Sequence, residues 1–134
     1  MTVETVGAIL VDNGRVLLGR RAGHKTFAGC WDVIGGHVEP GETIDAALHR
    51  ELSEELGITG SSATYIETLV IGDGNGSSVP LHLFAIPGWR GTPGVRNDEH
   101  DELRWFDLAE AAVLHPVVTD DYRRVLASLR IPRG

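Results

Sequence analysis

Three glutamates, Glu51, Glu54 and Glu55, stand at i, i+3 and i+4. On a helix turning about 100° per residue their side chains fall within an arc of roughly 100°. A helix is expected there, because Ile44, Leu48, Leu52 and Leu56 recur at every fourth position with Ala47 beside them, the pattern of an apolar stripe. The carboxylates occupy the neighbouring arc, so one side packs on a sheet and the edge beside it is acidic. The grouping is locally unfavourable. Like charges at i,i+4 cost a few tenths of a kcal/mol each, and anions in the last turn oppose the helix macrodipole by roughly 0.3–1 kcal/mol. The helix propensity of glutamate offsets part of this, and Arg50, one turn from Glu54, relieves part of the repulsion. A solvated acidic face is the plainer reading of such a cluster. Here the carboxylates gather at the helix end least suited to them, and a broken local rule often marks a functional site. A cation resolves the conflict. Oxygen ligands without His or Cys select a hard ion, Mg²⁺ or Mn²⁺, over zinc. Magnesium keeps waters and shares itself with substrate phosphates.

The elements around this cluster must position it. The helix is expected over residues 43–56, with Thr43 as N-cap and Gly57 where a left-handed residue ends a helix. The loop before it holds Gly35, Gly36, Pro40 and Gly41. Paired glycines allow close backbone approach, and Pro-Gly marks a tight turn. A turn that aims carbonyls at a metal and one that only reverses the chain need the same residues. Upstream, residues 3–11 read as an apolar strand, Asp12, Asn13 and Gly14 as a hairpin turn, and residues 15–19 as the returning strand. Residues 20–29 form a loop carrying Arg20, Arg21, His24 and Lys25, and residues 31–34 a short strand. Downstream, strands are expected over residues 65–71 and 79–86, joined by a Gly-rich turn. An irregular loop over 87–100, a last strand over 102–106 and two short helices from near Leu108 and Thr119 complete the reading. This order predicts an α+β or layered α/β sandwich.

The chain has 134 residues, the length of one domain, expected to span 1–134. No apolar run approaches the roughly 20 residues of a membrane span, and the start lacks the basic n-region of a secretory signal. The single cysteine, Cys30, excludes an internal disulfide framework and suits a reducing cytoplasm. It reads as a small buried side chain. A formal net charge of −7 argues against binding a nucleic acid polymer or an anionic membrane. Phosphates remain accessible to such a protein when cations mediate. A homodimer remains an option.

Residues 36–58 resemble the Nudix box, G-x5-E-x7-R-E-U-x-E-E-x-G-U with U aliphatic. The specified positions are Gly36, Glu42, Arg50, Glu51, Leu52, Glu54, Glu55, Gly57 and Ile58. A match by chance has a probability on the order of 10⁻¹⁰ per starting position. The box covers 23 of 134 residues, and similarity extends to Leu17 through Arg21 and Glu102 through Phe106. Ile34 stands where relatives often have proline, a departure that bears on loop stiffness.

The resemblance implies an α/β/α sandwich with a mixed sheet, the box forming a loop–helix–loop. It implies divalent-cation-dependent attack of water on a diphosphate. By position in the box, Glu51, Glu54 and Glu55 would ligate Mg²⁺ (or Mn²⁺), and Glu51 is also a candidate to polarise the water. Glu42 and Arg50 would hold the box together, and a carbonyl at Gly35 or Gly36 would add a ligand. Relatives often place a further carboxylate in a later loop. Asp98, Glu99, Asp101 and Glu102 are the candidates, and Glu99 is favoured as a catalytic group. Arg20, Arg21 and Lys25 are candidates to contact a substrate phosphate directly, with Arg20 preferred. Trp31, Trp89 and Trp105 are either core residues or base-stacking platforms.

The expected substrate is a small nucleoside diphosphate-linked molecule. A nucleoside triphosphate cleaved to monophosphate and pyrophosphate is the first choice, and a nucleotide sugar or ADP-ribose the second. Subfamilies preferring ADP-ribose often carry a proline about 15 residues past the box, near Asp73, and none stands there. Trp31-Asp32 and Gly36-His37-Val38 are also similar to isopentenyl-diphosphate isomerases, but the catalytic Asn-Thr-Cys-Cys-type motif and the later Trp-Gly-Glu-type motif are missing. A binding-only Nudix-like domain usually loses box glutamates, and all are kept here.

Overall fold

The computed structural model describes residues 3–129. Its elements are β1 (Thr5–Asp12), β2 (Arg15–Arg21), β3 (Trp31–Asp32), β4 (Ile34–His37), α1 (Ile44–Leu56), β5 (Thr59–Gly60), β6 (Thr64–Gly72), β7 (Ser78–Ile86), β8 (Trp89–Arg90), β9 (His100–Asp107), α2 (Leu108–Ala111) and α3 (Asp121–Ser128). The apolar run of β1 is buried on both faces, as an uninterrupted hydrophobic strand predicts. It runs parallel to β7 along one edge. Along the other it is antiparallel to β4 over Thr5–Ala8 and to β2 at Val11 and Asp12. The sheet is therefore mixed. β6 lies outside β7, and β3 and β9 flank β2.

Each sheet face carries its own core. The 3.6-residue period of α1 turns Ala47, Leu48, Leu52 and Leu56 onto Val6, Ala8 and Leu10 of β1, with Leu17, Ile34 and Ile86 alongside. Strand alternation sends Ile9, Val16 and Leu18 to the opposite face, where Tyr122, Val125 and Leu126 of α3 and Ala111 of α2 cover them. Helices on both faces of a mixed sheet make the expected α/β/α sandwich.

Several expectations change or narrow. Residues 31–34 are not one strand. The chain leaves β2's edge at Asp32 and joins β1's edge at Ile34. Between them Asp32 Oδ1 accepts the Val33 N–H at 2.8 Å, a side-chain bond that replaces a ladder bond. The loop over 87–100 is partly ordered by β8 pairing with β5. It then caps α1, because Gly94 and Arg96 donate their N–H groups to the carbonyls of Leu56 and Glu55 at 3.1 and 3.0 Å, satisfying acceptors that a helix end leaves free. The tryptophans are packing residues. Trp31 meets Phe106 edge-on at 5.0 Å, and Trp89 stacks on Trp105 at 5.9 Å. Cys30 is half-buried rather than buried. Among the described residues no helix is long and apolar enough to cross a membrane.

Candidate active site

Local chemistry fixes both ends of α1. Thr43 Oγ1 accepts the Ala46 N–H at 3.0 Å, and Gly57 closes the helix at φ 70°, a conformation that strains any residue with a Cβ. Between these ends the expected acidic edge is divided. Glu51 and Glu55 belong to the buried stripe, 9% and 2% exposed, whereas Glu54 is exposed.

Glu51 lies against β4. A Cβ on Gly36 would sit 2.6 Å from Glu51 Oε1, so any larger residue would displace this carboxylate. Gly35 beside it has no space either, since a Cβ would strike the Val6 carbonyl oxygen. Glu55 is deeper, and neither of its oxygens has a hydrogen-bond partner. His100 Nδ1 lies 3.5 Å from Glu55 Oε1. Burial, reinforced by the nearby charge of Glu51, pushes the Glu55 carboxyl up to about 10. His100 supplies no counter-charge, because burial, reinforced by Arg21, pushes it down to about 4. Buried polar groups are normally bonded, and a buried carboxylate without a partner is costly. A hard cation beside Glu51 and Glu55 fits this donor set.

Arg50 organises the loop side. Its Nε and Nη2 grip Glu42 at 2.7 and 3.0 Å, and its Nη2 also donates to the His37 carbonyl at 2.9 Å. Its Nη1 reaches Glu51 at 2.9 Å and Glu54 at 3.1 Å. Glu42 Oε1 also accepts the Glu39 N–H at 3.0 Å. The Arg50 hydrogen bonds, then that from Glu39, hold the Glu42 carboxyl down at about 2. Glu54 meets the arginine on the exposed side of the helix. Among the described residues no three His, Cys, Asp or Glu side chains converge at metal-binding distance, so the expected trio is a buried pair with Glu54 tied to Arg50.

A cleft of about 710 Å³ opens beside Glu51, lined by it together with Gly36, Arg21, Lys25, Glu99 and Asp32 among others, with Glu55 buried behind its wall. Arg21 Nη1 is 3.6 Å from Asp32 Oδ2, and its Nε donates to the Thr26 carbonyl at 2.8 Å. Lys25 Nζ is 2.7 Å from Glu99 Oε2. Of the four acidic candidates, Glu99 reaches the cleft. Asp98 lies 3.6 Å from His24, and Asp101 and Glu102 bind Arg20 at 2.9 and 3.3 Å. Arg20, the preferred phosphate contact, does not line the cleft. Successive strand residues face opposite sides, so Arg21 takes the cleft and Arg20 the acidic pair.

The NUDIX domain profile matches residues 1–129. This chain belongs to the Nudix family. It is 35% identical to the CTP pyrophosphohydrolase of Escherichia coli K12 over 119 residues, covering 89% of this chain and 85% of that protein. It is 34% identical to the putative 8-oxo-dGTP diphosphatase 2 of Mycobacterium tuberculosis H37Rv over 118 residues, covering 84% and 76%. The crystal structure of the MutT NUDIX hydrolase from Burkholderia pseudomallei superposes with a TM-score of 0.85 at 32% identity, covering 97% of this chain and 99% of that one. The chain is a Nudix pyrophosphohydrolase, acting on phosphoric anhydrides.

The Nudix cleft also contains residues that sequence reasoning did not select. Asp32 Oδ1 accepts the Tyr122 hydroxyl at 2.6 Å, and burial raises its carboxyl despite that bond and the nearby Arg21. Phe27 faces the cleft at φ 60°, 38% exposed. No local pattern marks Phe27, and His100 is disguised by the acidic residues around it. For Asp32 the only signal was its place beside Trp31 and the glycine pair; its partner Tyr122 comes from α3.

Proposed function

We propose that this Nudix hydrolase cleaves a nucleoside triphosphate to a monophosphate and pyrophosphate, using Mg²⁺, with Mn²⁺ as a substitute. The observation that carries this reading is Glu55, a buried carboxylate with neither oxygen bonded, beside Glu51 at the edge of the cleft. Glu51 and Glu55 would hold the ion together with the Gly36 carbonyl, and Glu54 would join them on leaving Arg50. A bound Mg²⁺ supplies activation of water and neutralisation of phosphate charge. Glu51 polarises the attacking water and takes its proton as the new P–O bond forms and the anhydride bond breaks. Glu99 is the second candidate for that proton. Arg21 and Lys25 offer hydrogen bonds to phosphate oxygens. The nucleoside would lie toward Phe27 and Asp32. CTP and 8-oxo-dGTP, named for two relatives, are both triphosphates, which favours this class over nucleotide sugars.

The test is a panel of CTP, GTP, 8-oxo-dGTP and ADP-ribose, each incubated with the full chain and Mg²⁺. Pyrophosphate from a triphosphate, abolished by EDTA, is the expected result. Turnover that survives EDTA, or orthophosphate as the only inorganic product, overturns the proposal.

A further inference from the structure

We propose that Lys25 is an exchangeable counter-cation for Glu99, one that makes metal ion and nucleotide each favour binding of the other. The inference rests on the reading of this cleft as a metal–nucleotide site. Lys25 and Glu99 form a 2.7 Å ion pair and are 28% and 34% exposed. Both line the cleft that Glu51 lines. The ammonium therefore occupies a carboxylate of the same cleft in which a cation would act.

The other cleft cations are committed more heavily. Arg50 is shared among Glu42, Glu51, Glu54 and the His37 carbonyl, and Arg21 is held by Asp32 and the Thr26 carbonyl. Lys25 holds one carboxylate through a flexible four-carbon stem with three rotatable donors. The backbones beneath the pair are already joined, since Ala22 N–H donates to the Glu99 carbonyl at 3.1 Å. The side chains can exchange partners without moving either loop.

A polyphosphate outcompetes a single carboxylate for the ammonium. When it takes Lys25, Glu99 is released toward the metal. Without nucleotide, Lys25 competes with the metal for Glu99 and weakens metal binding. By linkage, each ligand then promotes the other by the same factor.

The measurement is Mn²⁺ binding to the full chain without nucleotide, read from loss of the free-ion paramagnetic resonance signal. A non-hydrolysable α,β-methylene triphosphate is titrated separately. Lys25→Met should bind Mn²⁺ about 5-fold more tightly than the parent, within the usual range of such couplings. The same variant should bind the analogue more weakly. Damage to the fold would weaken both, so opposite shifts identify the exchange. Lys25→Arg, which keeps the pair, should behave as the parent. Adding Lys25→Met to Glu99→Gln should give no further gain. Unchanged or weaker Mn²⁺ binding in Lys25→Met overturns the exchange, as does a gain that persists without Glu99. If the parent binds no Mn²⁺, the metal reading of the cleft falls first and takes this inference with it.

Discussion

The two ends of the box treat the same residue type in opposite ways. At the loop end, Glu42 has both oxygens on Arg50 and a further bond from the Glu39 N–H. At the helix end, Glu55 is buried with neither oxygen bonded, and its neighbours are another carboxylate and a neutral histidine. A charge with complete partners ties elements together. A desolvated charge without them opposes folding and persists where a ligand completes it. The difference separates scaffold from chemistry within one motif.

The largest effect that tests this contrast comes from Glu55→Gln. The variant keeps shape and removes charge. Its turnover should fall by orders of magnitude, because the ion loses a ligand and water activation loses its geometry. Its metal-free melting temperature should equal or exceed the parent's, since the amide spares the folded chain the cost of keeping a proton on a carboxyl that the unfolded chain releases above about 4.5. Initial rates in saturating Mg²⁺ and thermal melts in EDTA measure both. A variant that melts clearly lower yet turns over normally would make Glu55 structural and erase the contrast.

Metal-free stability should also tilt in opposite directions at the two ends. The folded Glu55 carboxyl is raised from about 4.5 to about 10, so between those values the folded state holds a proton that the unfolded chain has released. Stability from this group therefore falls as pH rises through that window. The folded Glu42 carboxyl is lowered from about 4.5 to about 2. Its contribution is complete above about 4.5 and is lost as pH falls toward about 2. Melting curves in EDTA should lose the alkaline slope in Glu55→Gln and the acid slope in Glu42→Gln. An alkaline slope unchanged in Glu55→Gln would mean that the buried carboxylate is not its source.

A smaller effect is expected from dismantling the loop knot. Arg50→Met strands Glu42 and should cost roughly 1.5–3 kcal/mol, the range for hydrogen bonds to charged groups. Glu42→Gln should also lower the melting temperature, with activity lost partly through disorder of the box. Glu54→Gln removes one bond from an exposed side chain and should melt like the parent. Equal melting losses in Glu42→Gln and Glu54→Gln would remove the distinction between scaffold and rim.

The scaffold was more legible than the chemistry. The fourfold leucine spacing, Thr43 and Gly57 specify α1 because helix period and caps are local. Pairing of Glu42 with Arg50 was likewise expected. Division of the three glutamates was not, because a helical arc alone does not tell which part the sheet covers. That depended on Gly36 admitting Glu51, and on β9 bringing His100 to Glu55. The break at Val33 coincides with one side-chain bond, from its N–H to Asp32, inside a short segment that otherwise reads as continuous strand. Tyr122 meets Asp32 across 90 positions, a contact with no sequence period behind it.

Arg20 and Arg21 supply the smallest effect and a control for the comparison. They are adjacent and identical in chemistry, so a reading from composition makes them interchangeable. Arg20 is bound to exposed acidic residues, with side-chain exposures of 41% for itself and 46% for Asp101, and surface pairs of this kind contribute little. Arg20→Gln should leave the melting temperature nearly unchanged and kcat/KM within about 2-fold of the parent. Arg21→Gln frees Asp32 from its only cation among the described residues and removes a donor from the cleft wall. Its KM should rise while the Mn²⁺ affinity of the free enzyme holds, because Arg21 touches neither Glu51 nor Glu55. Rates across a substrate series for both variants decide the matter. If Arg20→Gln raises KM as much as Arg21→Gln, a charge with full surface partners is serving the substrate after all, and partner satisfaction does not separate scaffold from chemistry in this protein.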